Sequence, residues 1–200
     1  MLDYAKQAGL YILARAGPYV NGETNNGGYA LWMSDGSGGK VRTSDEKYHQ
    51  AWLPYMKTIS AILAKNQISK GGPVIMLQVE NELSETNYSA TDTLVIYMQQ
   101  LQKTMRDAGI VVPFFHNEKG MRAQSWSPGR SSSVHRSAFK LTVHIVYKNV
   151  GGAVDLYGLD SYPGGLSCTN PNSGFTTVRT YHQWFQQYAW TTPQFIPEFA

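Results

Sequence analysis

The stretch Gly71-Gly72-Pro73 followed by Val74-Ile75-Met76-Leu77-Gln78-Val79 constrains this chain more than any other. A short apolar run with β-branched residues, bounded by glycines and a proline, reads as a strand buried on both faces, as in the middle of a parallel sheet. The run then turns abruptly polar at Glu80-Asn81-Glu82. Carboxylates at the end of such a strand stand where α/β barrels place their chemistry.

Strand and helix patterns alternate around this run. Leu2 to Ala8 reads as a helix closed by Gly9, and Leu10 to Ala14 as a first strand. Thr43 with Glu46 reads as a capping box, opening a helix whose inward face is Tyr55, Ile59, Ile62 and Leu63. Thr91 or Asp92 caps the next helix, with Leu94, Tyr97, Met98, Leu101 and Met105 inward and Gly109 at its end. Ile110 to Phe115, Ala153 to Gly158 and Gln194 to Phe199 are further strands, with a helix from Thr176 to Trp190. The alternation predicts the α/β class with a parallel sheet. A polar cluster follows each strand and no glycine-rich dinucleotide loop does. The expectation is therefore an incomplete (β/α)8 TIM-barrel type rather than a doubly wound sheet.

Composition narrows the function. The chain has 200 residues, 42% hydrophobic and 16% charged, enough for one domain with a real core. Its formal charge of +3 is local: Lys119 to Val150 holds six of the 17 basic residues and no acidic one. No nucleic-acid motif accompanies that segment, so no nucleic-acid partner is expected. No apolar run approaches the ~20 residues of a membrane span, and no membrane partner is expected. The single cysteine, Cys168, cannot close a disulfide within the chain, and Cys-rich metal spacing is absent. Asn87-Tyr88-Ser89 is a glycosylation triplet and a faint pointer to secretion.

Glu82 and Glu198 each close an apolar strand far apart in sequence. A barrel brings such strand ends to one face, and glycoside hydrolysis needs two carboxyl groups across the scissile bond. Strand-end glutamates also cap helices or sit in solvent; a pair of them favours chemistry. Asn81 stands beside Glu82, in reach of a sugar hydroxyl near the reacting carbon. Glu80 reads as support for the strand end, and His116 and Asn117, just past a strand, as structural. Trp32 serves packing or sugar stacking equally well.

Four blocks in order carry a resemblance. Pro73 to Glu82 is similar to the acid/base strand of glycoside hydrolase family 35 β-galactosidases, particularly the large secreted fungal enzymes. Arg15-Ala16-Gly17-Pro18-Tyr19-Val20-Asn21-Gly22-Glu23 resembles their galactose-binding loop, Ala153 to Pro163 a further block, and Phe195 to Phe199 the nucleophile strand. The resemblance implies a retaining β-galactosidase acting on terminal non-reducing β-D-galactose of a galactoside or galactan-type carbohydrate. Glu82 would be general acid and then base, and Glu198 the nucleophile. Asn21, Gly22, Glu23 and Asn81 would bind the sugar, with Tyr162 beside the nucleophile or sugar. No metal or organic cofactor is implied, and the location implied is extracellular. Another retaining β-glycosidase of this barrel type and a non-catalytic sugar-binding relic are the alternatives.

By the same resemblance the chain starts just before the third barrel strand and stops two residues after the nucleophile. Strands three to seven are expected, in a partial catalytic barrel over 1–200 that is poorly stable and has little or no activity alone. Residues 130–150 interrupt the family pattern as an atypical insert, read as a translated intron or, alternatively, as a variable surface loop.

Overall fold

The computed structural model describes residues 1–84, 89–119, 126–127, 136–137, 140–141, 151–162, 169–170, 172, 185, 193 and 195–199. Five parallel strands form one sheet: β1 (Ile12–Arg15), β2 (Val74–Gln78), β3 (Phe114–Lys119), β6 (Leu156–Ser161) and β7 (Glu198–Phe199). Their spatial order is their chain order. A doubly wound sheet reverses direction near its middle, whereas strands laid down one after another are the arc of a (β/α)8 barrel. β4 (Arg136–Ser137) and β5 (Lys140–Leu141) pair antiparallel apart from it, within the expected insert. The rest of 130–150 lies outside the described residues, as do Cys168, Asn87 and all of the expected helix Thr176–Trp190 except buried Phe185.

Helix α1 (Leu2–Gln7) precedes β1, α2 (Glu46–Lys65) links β1 to β2, and α3 (Thr93–Asp107) links β2 to β3. α3 is built as its sequence predicts. Asp92 caps it by accepting from the Leu94 and Val95 amides, and Tyr97, Met98, Leu101 and Met105 are fully buried with Val95, while Leu94 packs at the edge.

α2 departs from expectation at its start and its face. Its cap is Asp45, which accepts from the Lys47 and Tyr48 amides at 2.9 and 3.2 Å. Thr43 is committed elsewhere, its hydroxyl donating to the Lys40 carbonyl at 2.7 Å. The buried stripe is Tyr48, Trp52, Met56, Ser60 and Leu63. Tyr55 and Ile62, expected inside, are 52% and 47% exposed. The bulk at Tyr48, Trp52 and Met56 sets the face, and small Ser60 keeps the 3.6-residue period where a hydrophobic residue was sought.

Four strands begin later than expected, β1 at Ile12 rather than Leu10 and so including Arg15, and the delays of β3 and β6 decide where the polar residues fall. Val111 and Val112 do not enter β3 because Gln67 takes both amides on its Oε1, at 2.6 and 3.0 Å. Its Nε2 donates to the Ala64 and Gly109 carbonyls, and Pro113 has no N–H for a ladder. Likewise the Val154 amide is spent on the Trp126 carbonyl, and Asp155 bonds Phe114, so β6 starts at Leu156. His116, Asn117 and Glu118 therefore lie within β3 rather than past its end, and Asp160 within β6. Gly158 permits this pairing: a Cβ there would sit 2.5 Å from the His116 carbonyl oxygen. β7 joins the ladder only at Glu198, opposite Asp160, rather than from Gln194.

The larger core cluster is where Trp52, Met56, Leu63, Val74, Leu77, Met98 and Leu101 meet, and a smaller one joins Tyr157, Leu159 and Phe185. The buried polar side chains collect at the C-terminal ends of the strands: Gln78, Glu80, Asn81, His116, Asn117, Glu118 and Asp160.

Candidate active site

That polar layer is organised by Asn117. Its Nδ2 lies 3.1 Å from Asn81 Oδ1, 2.6 Å from Asp160 Oδ2 and 3.2 Å from Glu198 Oε1. Its Oδ1 accepts the backbone N–H of Glu82 at 3.1 Å. One buried side chain from β3 thus touches the ends of β2, β6 and β7. Sequence reasoning took Asn117 for a structural residue beyond a strand; being inside β3 is what aims it into the cluster.

Glu198 is gripped on both oxygens. Arg15, the last residue of β1, pairs with Oε1, and the Tyr162 hydroxyl donates to Oε2. Arg15 also donates to Asn81 Oδ1. The structure brings Glu198, Asn81 and Tyr162 together, with Arg15 as a further link. The bond to Glu198, together with burial and the neighbouring carboxylates, pushes the Tyr162 phenol up, so it remains a donor at any physiological pH.

Glu82 reaches the cluster through its backbone, and its carboxylate lies 3.9 Å from Lys119 Nζ. Glu80 and Glu82 both take left-handed backbone, with φ of 61° and 47°. Such positions cost on the order of 1–3 kcal/mol each for a non-glycine residue and persist only where the surroundings hold them. The double kink puts Asn81 side-on to the cluster, and Trp126 fastens the far side by donating from Nε1 to the Leu83 carbonyl at 2.7 Å.

Glu80 supports the strand end, as expected, through a partner with no motif to announce it. Its carboxylate is fully buried and bound in a fork by Arg42 Nε and Nη2 at 2.8 and 2.7 Å. It also takes the Asn81 amide at 2.6 Å and the Tyr97 hydroxyl at 3.4 Å. Burial pushes its carboxyl up against these donors. From Glu80 the hydroxyls of Tyr97, Tyr48 and half-buried Tyr29 continue as a chain at 3.2 and 2.6 Å, and burial raises all three phenols.

Asp160 is a strongly perturbed acid of the cluster. It is wholly buried and its Oδ1 has no hydrogen-bond partner among the described residues. Burial, then the charges of Glu198 and Glu82, push its carboxyl up to about 7, against the pull of Asn117 and Arg15. His116 is buried too, with Nδ1 at 3.1 Å from the Val79 carbonyl, and burial lowers it to about 4, so its ring is neutral.

Asn21, Gly22 and Glu23 form an exposed loop beside this cluster. Asn21 Nδ2 donates to Glu23 Oε1 at 3.3 Å and its Oδ1 accepts from the Tyr19 hydroxyl at 3.1 Å. The Gly22 amide closes the loop onto the Gly27 carbonyl at 2.9 Å. The described partners of Asn21 and Glu23 are thus each other and Tyr19, not the carboxylates. Trp32 is 51% exposed and lines a groove of about 310 Å³ with Pro18, Tyr29 and Trp52, away from Glu198. Among the described residues no three of His, Cys, Asp and Glu converge as a metal site, and no helix is long and apolar enough to cross a membrane.

Comparison with known proteins gives this arrangement its context. The chain matches the model of Glycosyl hydrolases family 35 over residues 1–195, with Glu198 just beyond that span. It is 60% identical over 199 residues to "Probable beta-galactosidase C" of Sclerotinia sclerotiorum. It is 57% identical to the protein of that name in Aspergillus fumigatus and 55% to that of Aspergillus niger, again over 199 residues. All of this chain is covered in each case, and it spans 18% of the length of these relatives.

Proposed function

The chain belongs to glycosyl hydrolases family 35, and from that membership we propose that it carries the catalytic pair of a retaining β-galactosidase. The observation that supports this best is the double grip on Glu198 by Arg15 and Tyr162, within one shared cluster with Asn81 and the Glu82 backbone. A nucleophile held on both oxygens attacks along a fixed line, and alignment of this kind is a large part of enzymatic rate.

In the proposed reaction Glu82 gives its proton to the glycosidic oxygen as the carbon–oxygen bond to the leaving group breaks. Glu198 attacks the anomeric carbon and forms an ester. A water molecule then loses a proton to Glu82 and displaces Glu198, returning both carboxyls to their starting states with net retention. Arg15 and Tyr162 stabilise the Glu198 carboxylate before attack and again as it leaves. Asn81 binds a sugar hydroxyl, and Asn21, Gly22 and Glu23 bind others from the loop side. The substrate is a terminal β-D-galactoside or galactan-type carbohydrate, used in carbohydrate metabolism outside the cell.

The test is hydrolysis of a panel of 4-nitrophenyl β-glycosides, with covalent trapping by a 2-deoxy-2-fluoro-β-galactoside. It is run on the 200-residue chain and on a chimera in which it replaces the matching segment of a longer relative. Galactoside turnover with the adduct on the peptide bearing Glu198 supports the reading. Faster glucoside turnover, or an adduct elsewhere, overturns it.

A further inference from the structure

Arg42 sits in the irregular glycine-rich stretch before α2, where neither periodicity nor motif marks it. It nevertheless touches both halves of the site. On one side its fork closes on Glu80, and Nη2 also donates to the Asn81 carbonyl at 2.6 Å. On the other its guanidinium lies over the Tyr19 ring, 4.2 Å from the centroid, and the Tyr19 hydroxyl donates to Asn21. Gly27 leaves room for that ring, since a Cβ there would sit 2.4 Å from Tyr19 Cε2.

We propose that Arg42 is a positioning residue that fastens the acid/base segment 80–82 to the sugar-binding loop 19–23, so that the two move as one unit. Arginine suits this because a planar guanidinium can bind a carboxylate edge-on and present its face to an aromatic ring at the same time. Lysine keeps the charge but has no second edge and no face. Glu80 holds its own segment through the Asn81 amide, and Tyr19 holds its own loop through Asn21. The hydroxyl relay from Glu80 through Tyr97 and Tyr48 to Tyr29, which packs on Tyr19, links them at longer range, whereas Arg42 touches both directly. Arg42 is where the two meet. The inference rests on the β-galactosidase reading for what the two segments do, but not for their coupling.

Two measurements separate these. Amide hydrogen exchange on the resting protein reads the coupling without turnover, with Gly22 N–H and Glu82 N–H as reporters, bonded at 2.9 and 3.1 Å. R42K should speed exchange at both reporters together, by roughly tenfold or more, while amides in α3 stay as in the wild type. Tyr19→Ala, which leaves the buried Glu80 pair untouched, should speed Gly22 alone, and Tyr19→Phe, which keeps the ring under Arg42 and loses only the Asn21 bond, should speed it far less. Should R42K fail to fold, the Tyr19→Ala result stands by itself: Gly22 exchange as in the wild type overturns the coupling. An R42K protein with Gly22 unchanged overturns it too.

The second measurement compares a phenyl β-galactoside, which needs an acid to help its leaving group, with a 2,4-dinitrophenyl β-galactoside, which does not. In the chimera with a longer relative, R42K should lower kcat/KM, which reports the step where Glu82 is the acid, by on the order of 100-fold on the phenyl substrate and far less on the dinitrophenyl substrate. Equal losses on both would mean a merely structural role and would overturn the positioning of Glu82. If Glu82→Gln itself shows no such split, the acid/base reading fails while the exchange result still judges Arg42.

Discussion

Asp160→Asn offers the most direct view of the polar layer. The Asp160 carboxyl is wholly buried, with one oxygen on Asn117 and the other without a partner among the described residues. In the unfolded chain it releases its proton near 3.8, whereas the fold holds it until about 7. An acid whose folded pKa is raised contributes stability that is complete below the unfolded value and is lost as pH rises through the folded one. Three pKa units at ~1.36 kcal/mol each give about 4 kcal/mol, lost between about pH 4 and pH 7 and constant above. With an m-value of about 2 kcal/mol/M, that is a shift of roughly 2 M in urea midpoint. Asparagine keeps an acceptor for Asn117 and cannot ionise, so its stability should not follow this slope. Urea melts followed by tryptophan fluorescence at intervals from pH 4 to pH 8 provide the assay. The variant should match or slightly trail the wild type at pH 4 and exceed it at pH 8. Glu198→Gln should flatten the wild-type slope in part, because Glu198 supplies part of the shift. Parallel stability curves for wild type and Asp160→Asn across this range would refute the reasoning.

Other substitutions test separate links. Glu82→Gln should lower hydrolysis of a phenyl β-galactoside about 10²–10⁴-fold, the usual worth of a positioned acid, measured as kcat. Glu80→Ala leaves the Arg42 fork unpaired beside buried Tyr97 and should cost about 3–5 kcal/mol in a denaturant melt. Gln67→Leu strands the Val111 and Val112 amides, of which Val112 is buried, and should cost about 1–3 kcal/mol by the same assay. For residues 130–150 we propose a retained intron: transcript sequencing should find a spliced message joining Gly129 to about Gly151, and an intact message alone would sink the idea.

What was legible in the sequence followed local physics. The α3 stripe and a cap at Thr91 or Asp92 need only nearby residues; Asp92 is the cap, and every stripe residue except Leu94 is fully buried. The apolar run of β2 ending at Glu80-Asn81-Glu82 points to the strand end where the buried polar cluster lies. The errors came where a distant group intervenes. Gln67 delays β3 by capturing two amides from more than forty residues away, and hydrophobicity at Val111 and Val112 gives no warning of it. Asn117 was placed outside its strand for that reason, and so its part in the site was missed. Arg15 and Asp160 lay inside recognised blocks, yet only the register of β6 against β7 shows Asp160 facing Glu198 across the ladder. Arg42 carries no local pattern at all, since its role is defined by Glu80 and Tyr19, which come from two different loops.

The Asn117 amide has two hydrogens and three oxygen neighbours. One acceptor is always short-changed, so the cluster is a queue rather than a closed set. In the proposed cycle, when Glu198 is tied up as an ester, its oxygen withdraws from the queue and the hydrogen it shared is free for Asn81 or Asp160. Under the proposed reaction, an under-supplied donor at the meeting point of four strands would let the site change its charge midway while its frame stays still.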